Sequence, residues 1–328
     1  MPLSKIQTSE MLDSPNLGRR NLIINGAAEV YQRGAATTAH NGYAVDRWQH
    51  KGNNSTTSTT NQDTDAPPPF KNSIKFAAGG ASSGAAEVAG IAQRMEGTTI
   101  TSIGLGTSAA KPVTLSFYVK SSVTGTYAVS MRNNGTDQSF INTYTISSAN
   151  TWEYKKVTFD ARTTGTWLTT TGIGIRLWFD LGSGSNFDGT AGSWTTNNHL
   201  TVSSQANVVG TSSATWFVTG IQLEVGSVAT AFEHRSFAEE LALCQRYYYQ
   251  NEDVFVYGKS READRHRDCN VLFPTTMRAQ PTVTKLTDPS GFTGSWVHGG
   301  TQQMRFSGIA PSDGYVATCG TAKADAEI

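Results

Sequence analysis

The sequence predicts an all-β protein, a sandwich or barrel with one short helix, and three observations carry that expectation. Several segments alternate apolar and polar residues with a period of two, the signature of half-buried strands. Gly- and Asn-rich pieces such as Asn133-Asn134-Gly135-Thr136 and Gly182-Ser183-Gly184-Ser185 separate them at short intervals, which favours antiparallel strands over a parallel α/β sheet. Charged residues make up only 16% of the 328 residues, too few for charge-rich helices to dominate.

The strands follow in order. Across 111–120, Val113, Leu115, Phe117 and Val119 share one face, while Thr114, Ser116, Tyr118 and Lys120 share the other. Tyr127, Val129 and Met131 repeat the pattern, as do Ile175, Leu177 and Phe179 against Arg176, Trp178 and Asp180. Residues 152–154 and 157–159 are out of phase across Lys155-Lys156, which predicts a β-bulge there. Phe217, Thr219, Ile221 and Leu223 are expected together on one face of a closing strand. Trp48, Trp152 and Trp216 are read as core or sheet-packing residues. Two polar stretches, 52–69 and 181–209, are long loops.

Ser236 and Glu239 form a capping-box pattern ahead of a helix, with Phe237, Leu241, Cys244 and Tyr248 on one stripe and an end expected near Gln250. Beyond it, 254–257, 271–273 and 282–284 read as strands of a small second β unit. At about 78 residues, that unit is expected to need packing against the first domain or against other copies. Residues 1–20 are polar and lack periodicity, as in a segment that orders only on a partner.

The formal net charge is zero and no basic run is present, so neither nucleic-acid binding nor membrane insertion is expected. No apolar run approaches a membrane span, and residues 1–10 lack the apolar core of a secretory signal. Cys244, Cys269 and Cys319 are too few and scattered for a disulfide framework or a zinc ribbon.

Two separated groups of segments carry a family resemblance. One contains Asn21-Leu22-Ile23-Ile24-Asn25-Gly26, Tyr31-Gln32-Arg33-Gly34 and Gly42-Tyr43-Ala44-Val45-Asp46-Arg47-Trp48. The other contains Gly220-Ile221-Gln222-Leu223-Glu224-Val225-Gly226 and Ala229-Thr230-Ala231-Phe232-Glu233-His234-Arg235, continuing into 237–248. Together they resemble bacteriophage tail fibres and virion structural proteins with a carbohydrate-binding-module-like domain. The resemblance implies a jelly-roll (galactose-binding-like) β-sandwich over 21–235, a helical connector at 236–250, a C-terminal β domain at 251–328, and a virion-anchoring arm at 1–20. It also implies a homotrimer assembled in the bacterial host cytoplasm, located in the phage particle and its tail, with other virion proteins and a host-surface polysaccharide as partners. The connector residues Phe237, Leu241, Cys244 and Tyr248 are then expected at the three-fold contact.

No catalytic motif is present: there is no G-x-S-x-G elbow, H-E-x-x-H helix or phosphate loop, so the chain is not read as an enzyme. Glycan binding needs aromatic faces for sugar C–H groups and amides for hydroxyls. The candidates are Tyr118, Trp178, Trp194, Asn197 and Asn198. Asn25, Glu29, Asp46 and Glu224 are candidate oxygen ligands for a structural Ca²⁺. The competing and preferred reading of those residues is hydrogen bonding, with an Asp46–Arg47 surface network; no other cofactor is expected. Two further readings compete. One is a capsid or tail decoration or connector protein that binds no glycan. The other is a glycan depolymerase using two of Glu153, Asp160, Asp180 and Asp188.

Overall fold

A computed structural model describes residues 19–52, 58–251, 254–260, 266–287, 293–309 and 314–328. The expected anchoring arm lies outside them except for Arg19 and Arg20. Two antiparallel sheets pack face to face. One has the spatial order β1 (Gln49–Lys51), β4 (Gly90–Glu96), β9 (Ile173–Asp180), β6 (Gly125–Arg132), β7 (Ser139–Ile146) and β10 (Trp194–Thr195). The other runs β2 (Thr59–Asp63), β3 (Ser73–Ala77), β11 (Thr215–Val225), β5 (Val113–Ser121) and β8 (Glu153–Phe159). The chain crosses between sheets from β1 to β2, β3 to β4, β4 to β5, β5 to β6, β7 to β8, β8 to β9 and β10 to β11, giving a jelly-roll β-sandwich.

The alternating residues fill the space between the sheets. Leu115, Phe117 and Val119 of β5 are fully buried, as are Val129 and Met131 of β6 and Leu177 and Phe179 of β9. Phe179 sits centrally, with its ring centroid 5.1 Å from Phe117 and 5.6 Å from Trp216.

The two segment groups that carry the family resemblance meet side by side. The Leu22 N–H donates to the Leu223 carbonyl (2.9 Å), and the Ile221 N–H donates to the Gly26 carbonyl (2.9 Å). The Asn21 side chain donates to the Ile221 carbonyl (3.0 Å) and accepts from the Leu223 N–H (3.1 Å). At Gly26 a Cβ would lie 2.1 Å from the Ile221 oxygen, so only glycine allows this approach. Glu233 accepts from the Asn21 N–H, and Arg235 donates to the Asn21 and Ile23 carbonyls.

Three expectations for the sandwich strands change. First, β8 pairs with β5 in unbroken register from Val113↔Phe159 to Val119↔Glu153, so no bulge lies at Lys155-Lys156. The phase change there reflects a partly exposed edge strand. Second, the bulge sits in β11, where the register jumps between Thr219 and Gln222 and Gly220 has φ 61°. One extra residue reverses the face: Trp216 and Val218 point inward before it, Ile221 and Leu223 after it, and Phe217 and Thr219 belong to the outer face. Third, Trp178 lies outside the sandwich core but is only 2% exposed, because the 181–209 loop folds back and covers it with Leu200 and Phe187.

Helix α1 (Phe237–Gln245) has the expected capping box at Ser236 and Glu239. It ends at Gln245, and Tyr248 opens β12 (Tyr248–Gln250), which pairs with β18 (Gly314–Asp325). The stripe is not a buried seam. Phe237 is 56% exposed, while Glu240 and Cys244 face the sandwich. There Glu240 accepts from the Asn25 N–H (2.5 Å).

In the C-terminal unit β18 pairs with β12, β13 (Val254–Ser260) and β15 (Thr282–Thr287), while β17 (Gln303–Ile309) pairs with β14 (His266–Leu272) and β16 (Thr293–His298). Its small core contains Phe273, Met277, Trp296, Met304 and Phe306. The unit docks on the sandwich through its last residues. Glu327 pairs with Arg47 and Arg33, the Ala326 N–H donates to the Tyr247 carbonyl, and the Tyr43 hydroxyl donates to the Ile328 carbonyl. Arg47 is 1% exposed and stacks 3.4 Å from the Tyr247 ring centroid. Asp46, equally buried, accepts from the backbone and side chain of Gln32. The Asp46–Arg47 network is therefore interior, since the C-terminal unit covers it.

Candidate functional site

The outer face of the five-stranded sheet carries a continuous aromatic row. Tyr118 on β5 and Tyr154 on β8 are directly opposed in register, with ring centroids 5.1 Å apart. Tyr118 faces Thr219 on its other side. Next to Thr219 the bulge leaves Gly220 without a side chain, and the Phe70 ring occupies that space: a Cβ on Gly220 would lie 2.5 Å from Phe70 Cζ. Phe70 thus reaches Tyr118, with centroids 5.6 Å apart. The segment after β11 returns over the sheet, placing Phe232 edge-on to Phe70 at 5.0 Å and His234 stacked on it at 5.6 Å.

The row ends in solvent on both sides. Tyr154 is 47% exposed and His234 is exposed, Tyr118 and Phe232 are half-buried, and Phe70 anchors the row at 9%. Polar groups flank it: Lys156 stands two residues from Tyr154 on the same face, and the Asn72 carbonyl accepts from the Thr219 hydroxyl (2.7 Å). Toward the next row, Lys120 pairs with Asp65 and lies 4.5 Å from the Phe217 centroid and 5.2 Å from that of Trp152. The Lys120 and Trp152 hydrogen bonds help hold the Asp65 carboxyl below its ordinary value. An exposed aromatic row edged with donors and acceptors can stack sugar C–H faces while bonding their hydroxyls.

The other sequence candidates lie elsewhere. Trp178 is covered, with its Nε1–H donated to Asp180 (3.0 Å). Trp194 is half-buried and packs edge-on to Phe140 and Trp167, donating Nε1–H to the Asp160 carbonyl (2.8 Å). Asn197 and Asn198 are exposed beside it; the Asn197 carbonyl accepts from Ser139, and Asn198 Oδ1 accepts from Arg132. Only Tyr118 among the five belongs to the aromatic row. Tyr154, Phe70, Phe232 and His234 were missed because the bulge and the returning segment bring them together. The alternation of Tyr154 with Lys156 on a polar strand was the one available signal.

Three of the four candidate Ca²⁺ ligands are committed to hydrogen bonds. Asn25 donates to the Val30 and Asp46 carbonyls, Asp46 accepts from Gln32, and Glu224 accepts from Gln222 and Thr230; Glu29 is half-buried. Burial pushes the Asp46 carboxyl up to about 6. Among the described residues, no group of three or more His, Cys, Asp or Glu side chains is placed to hold a metal. Of the carboxylates considered for hydrolysis, Asp180 is fully buried and accepts from Trp178 and the Gly182 and Ser183 N–H groups. Glu153 accepts from Ser147, Ser148 and Lys155. No helix among the described residues is long and apolar enough to cross a membrane.

No protein-family model matches the chain, and no curated protein matches it. Solved structures that do match include a proposed sugar-binding protein from Bacteroides thetaiotaomicron, at 13% identity over 63% of this chain and 100% of that one, with a TM-score of 0.37. They also include the CBM22-1 xylan-binding domain of Xyn10C from Paenibacillus barcinonensis, at 12% identity over 64% of this chain and 96% of that one, with a TM-score of 0.31. A third is the enzymatically active domain of tailspike protein 4 from bacteriophage CBA120, at 12% identity over 62% of this chain and 21% of that one, with a TM-score of 0.31.

Proposed function

We propose that this chain is a phage virion protein of the tail-fibre or appendage type, and that its sandwich recognises a host-surface glycan without cleaving it. The observation that carries the glycan reading is the solvent-facing row Tyr154–Tyr118–Phe70–His234. An isolated surface aromatic needs no explanation, but a row of them assembled from separate segments on a polar face does. The virion assignment draws on the terminal segments that resemble the phage family, whose close pairing explains why a glycine stands at position 26. Residues 1–20 supply the attachment to the particle, and copies of the chain on one particle turn weak single sites into avid binding.

The test is retention of the full-length protein on an array of bacterial surface polysaccharides, together with competition against phage adsorption. Binding that is lost in the Y118A/Y154A double variant supports the reading. Binding unchanged in that variant removes the aromatic row from it. Absence of any binding, with the chain located by cryo-electron microscopy in a capsid or sealed tail ring, replaces it with the connector role. Release of reducing ends from a bound polysaccharide overturns the non-enzymatic part.

A further inference from the structure

The opposite outer face, on the six-stranded sheet, carries a row of like charges. Arg94 on β4 is directly opposed to Arg176 on β9, which is directly opposed to Arg132 on β6. Neighbouring strands lie about 4.8 Å apart, and like charges placed directly opposite one another destabilise a sheet. Lys51, on β1 of the same sheet, adds a fourth cation to their field: burial first, then Arg94, Arg176 and Arg132, bring its ammonium down to about 7. Arg132 and Arg176 are pushed down by burial and then by their arginine neighbours.

No ion pair among the described residues involves Arg94, Arg132 or Arg176, and the nearby carboxylates are engaged elsewhere. Glu327 is shared by Arg33 and Arg47, Glu96 is held by Arg246, and Asp180, which accepts from Trp178, Gly182 and Ser183, acts on Arg132 through its field without an ion pair. Neutral amide oxygens instead hold the cations in position. Asn41 Oδ1 accepts from Lys51, Asn134 Oδ1 accepts from Arg176 (3.1 Å), and Asn198 Oδ1 accepts from Arg132. An amide fixes a cation's direction without neutralising it. Arg132 is 8% exposed, and its Nε and that of Arg176 have no hydrogen-bond partner. A charged donor this deeply buried without a partner is costly unless an anion completes it.

We propose that the Arg94–Arg176–Arg132 row is an oxyanion-binding site that takes a carboxylate or phosphate group of an acidic glycan. Guanidinium groups suit these planar or tetrahedral oxyanions because they can donate two parallel N–H bonds. Asn134 and Asn198 at the rim add hydrogen-bonding capacity for neighbouring sugar hydroxyls. Three cations in one row on a chain that is neutral as a whole fit one or two anionic groups better than a tracked phosphate backbone, whose affinity comes from many contacts. This inference concerns the sheet opposite the aromatic row and stands independently of it.

The test is calorimetric titration and thermal melting of the full-length protein and its R176Q variant with three probes: inorganic phosphate, an oligogalacturonate, and a neutral oligosaccharide of equal length. The wild type is expected to bind phosphate or the oligogalacturonate, or both, with an affinity that falls as salt rises. R176Q is expected to weaken that binding at least tenfold. Phosphate binding alone identifies a phosphate ester as the group; binding of the uronate alone identifies a carboxylate. In phosphate-free buffer R176Q should melt at the same or a higher temperature, because it removes repulsion within the row. A lower melting temperature with the ligand response intact would make Arg176 a structural residue and overturn the proposal. So would the absence of binding to either anion, or equal retention of a DNA duplex. Y118A/Y154A should leave the anion response unchanged, so failure here and failure of the aromatic-row reading are separable.

Discussion

The two outer faces of the sandwich share one core beneath them and differ in how they are built. The cationic row lies in direct cross-strand register, whereas the aromatic row pairs only Tyr118 with Tyr154 in register and is completed by Phe70, Phe232 and His234 from irregular segments. On the five-stranded sheet the row is aromatic and its members stabilise each other through ring contacts of 5.0–5.6 Å. On the six-stranded sheet the row is cationic and its members oppose each other, held by amides. The first face is compatible with stability on its own. The second carries a cost within the fold, and such a cost is a stronger pointer to a ligand than exposed aromatic area.

The largest effect should come from the support that the faces share. Phe179 touches Trp48, Phe117 and Trp216 between the sheets, and Phe179→Ala should cost about 3–5 kcal/mol in chemical denaturation. Both faces should lose ligand responses together; loss at one face only would show that the sheets are supported separately. Gly220→Val is aimed at one face. Its φ of 61° and the Phe70 ring leave no room for a branched side chain, so destabilisation of about 1–3 kcal/mol is expected. Glycan binding should fall while the phosphate response survives, as parallel titrations would reveal.

Smaller still is the double variant Y118A/Y154A. A loss of about 1.4 kcal/mol of glycan binding corresponds to a tenfold weaker dissociation constant, with a modest fall in melting temperature, since Tyr154 is 47% exposed and Tyr118 half-buried. A separate effect is a pH dependence confined to the cationic face. Lys51 titrates near 7 when folded and at 10.5 ordinarily. Between these values the unfolded chain binds more protons, so stability should rise with pH across that window. Lys51→Met should flatten the rise, measured as denaturation midpoints at pH 7, 8 and 9.

How much of each face was legible follows from what assembles it. Arg176 and Trp178 alternate with core residues on β9, so both were assigned to the outer side of the sheet. The sequence contains nothing to say that Leu200 and Phe187 return to cover Trp178 while Arg176 stays partly open. Tyr118 was found because it alternates with Phe117 and Val119. Phe70, Phe232 and His234 sit in irregular segments where no period exists, and their meeting depends on a bulge that local alternation placed in the wrong strand.

The sequence by itself determined the alternating strands around 113–120, 127–131 and 175–179, the capped helix, and the inward set from Leu115 to Phe179. These follow from side-chain period and capping chemistry. Only the tertiary structure decided which outer residues share a row, which carboxylates are already taken, and that Asp46 and Arg47 are interior. Cross-strand register and loop return join residues far apart in the chain, and a one-residue shift in register moves every side chain to the other face. Local pattern therefore identifies a face, while pairing decides what that face can bind.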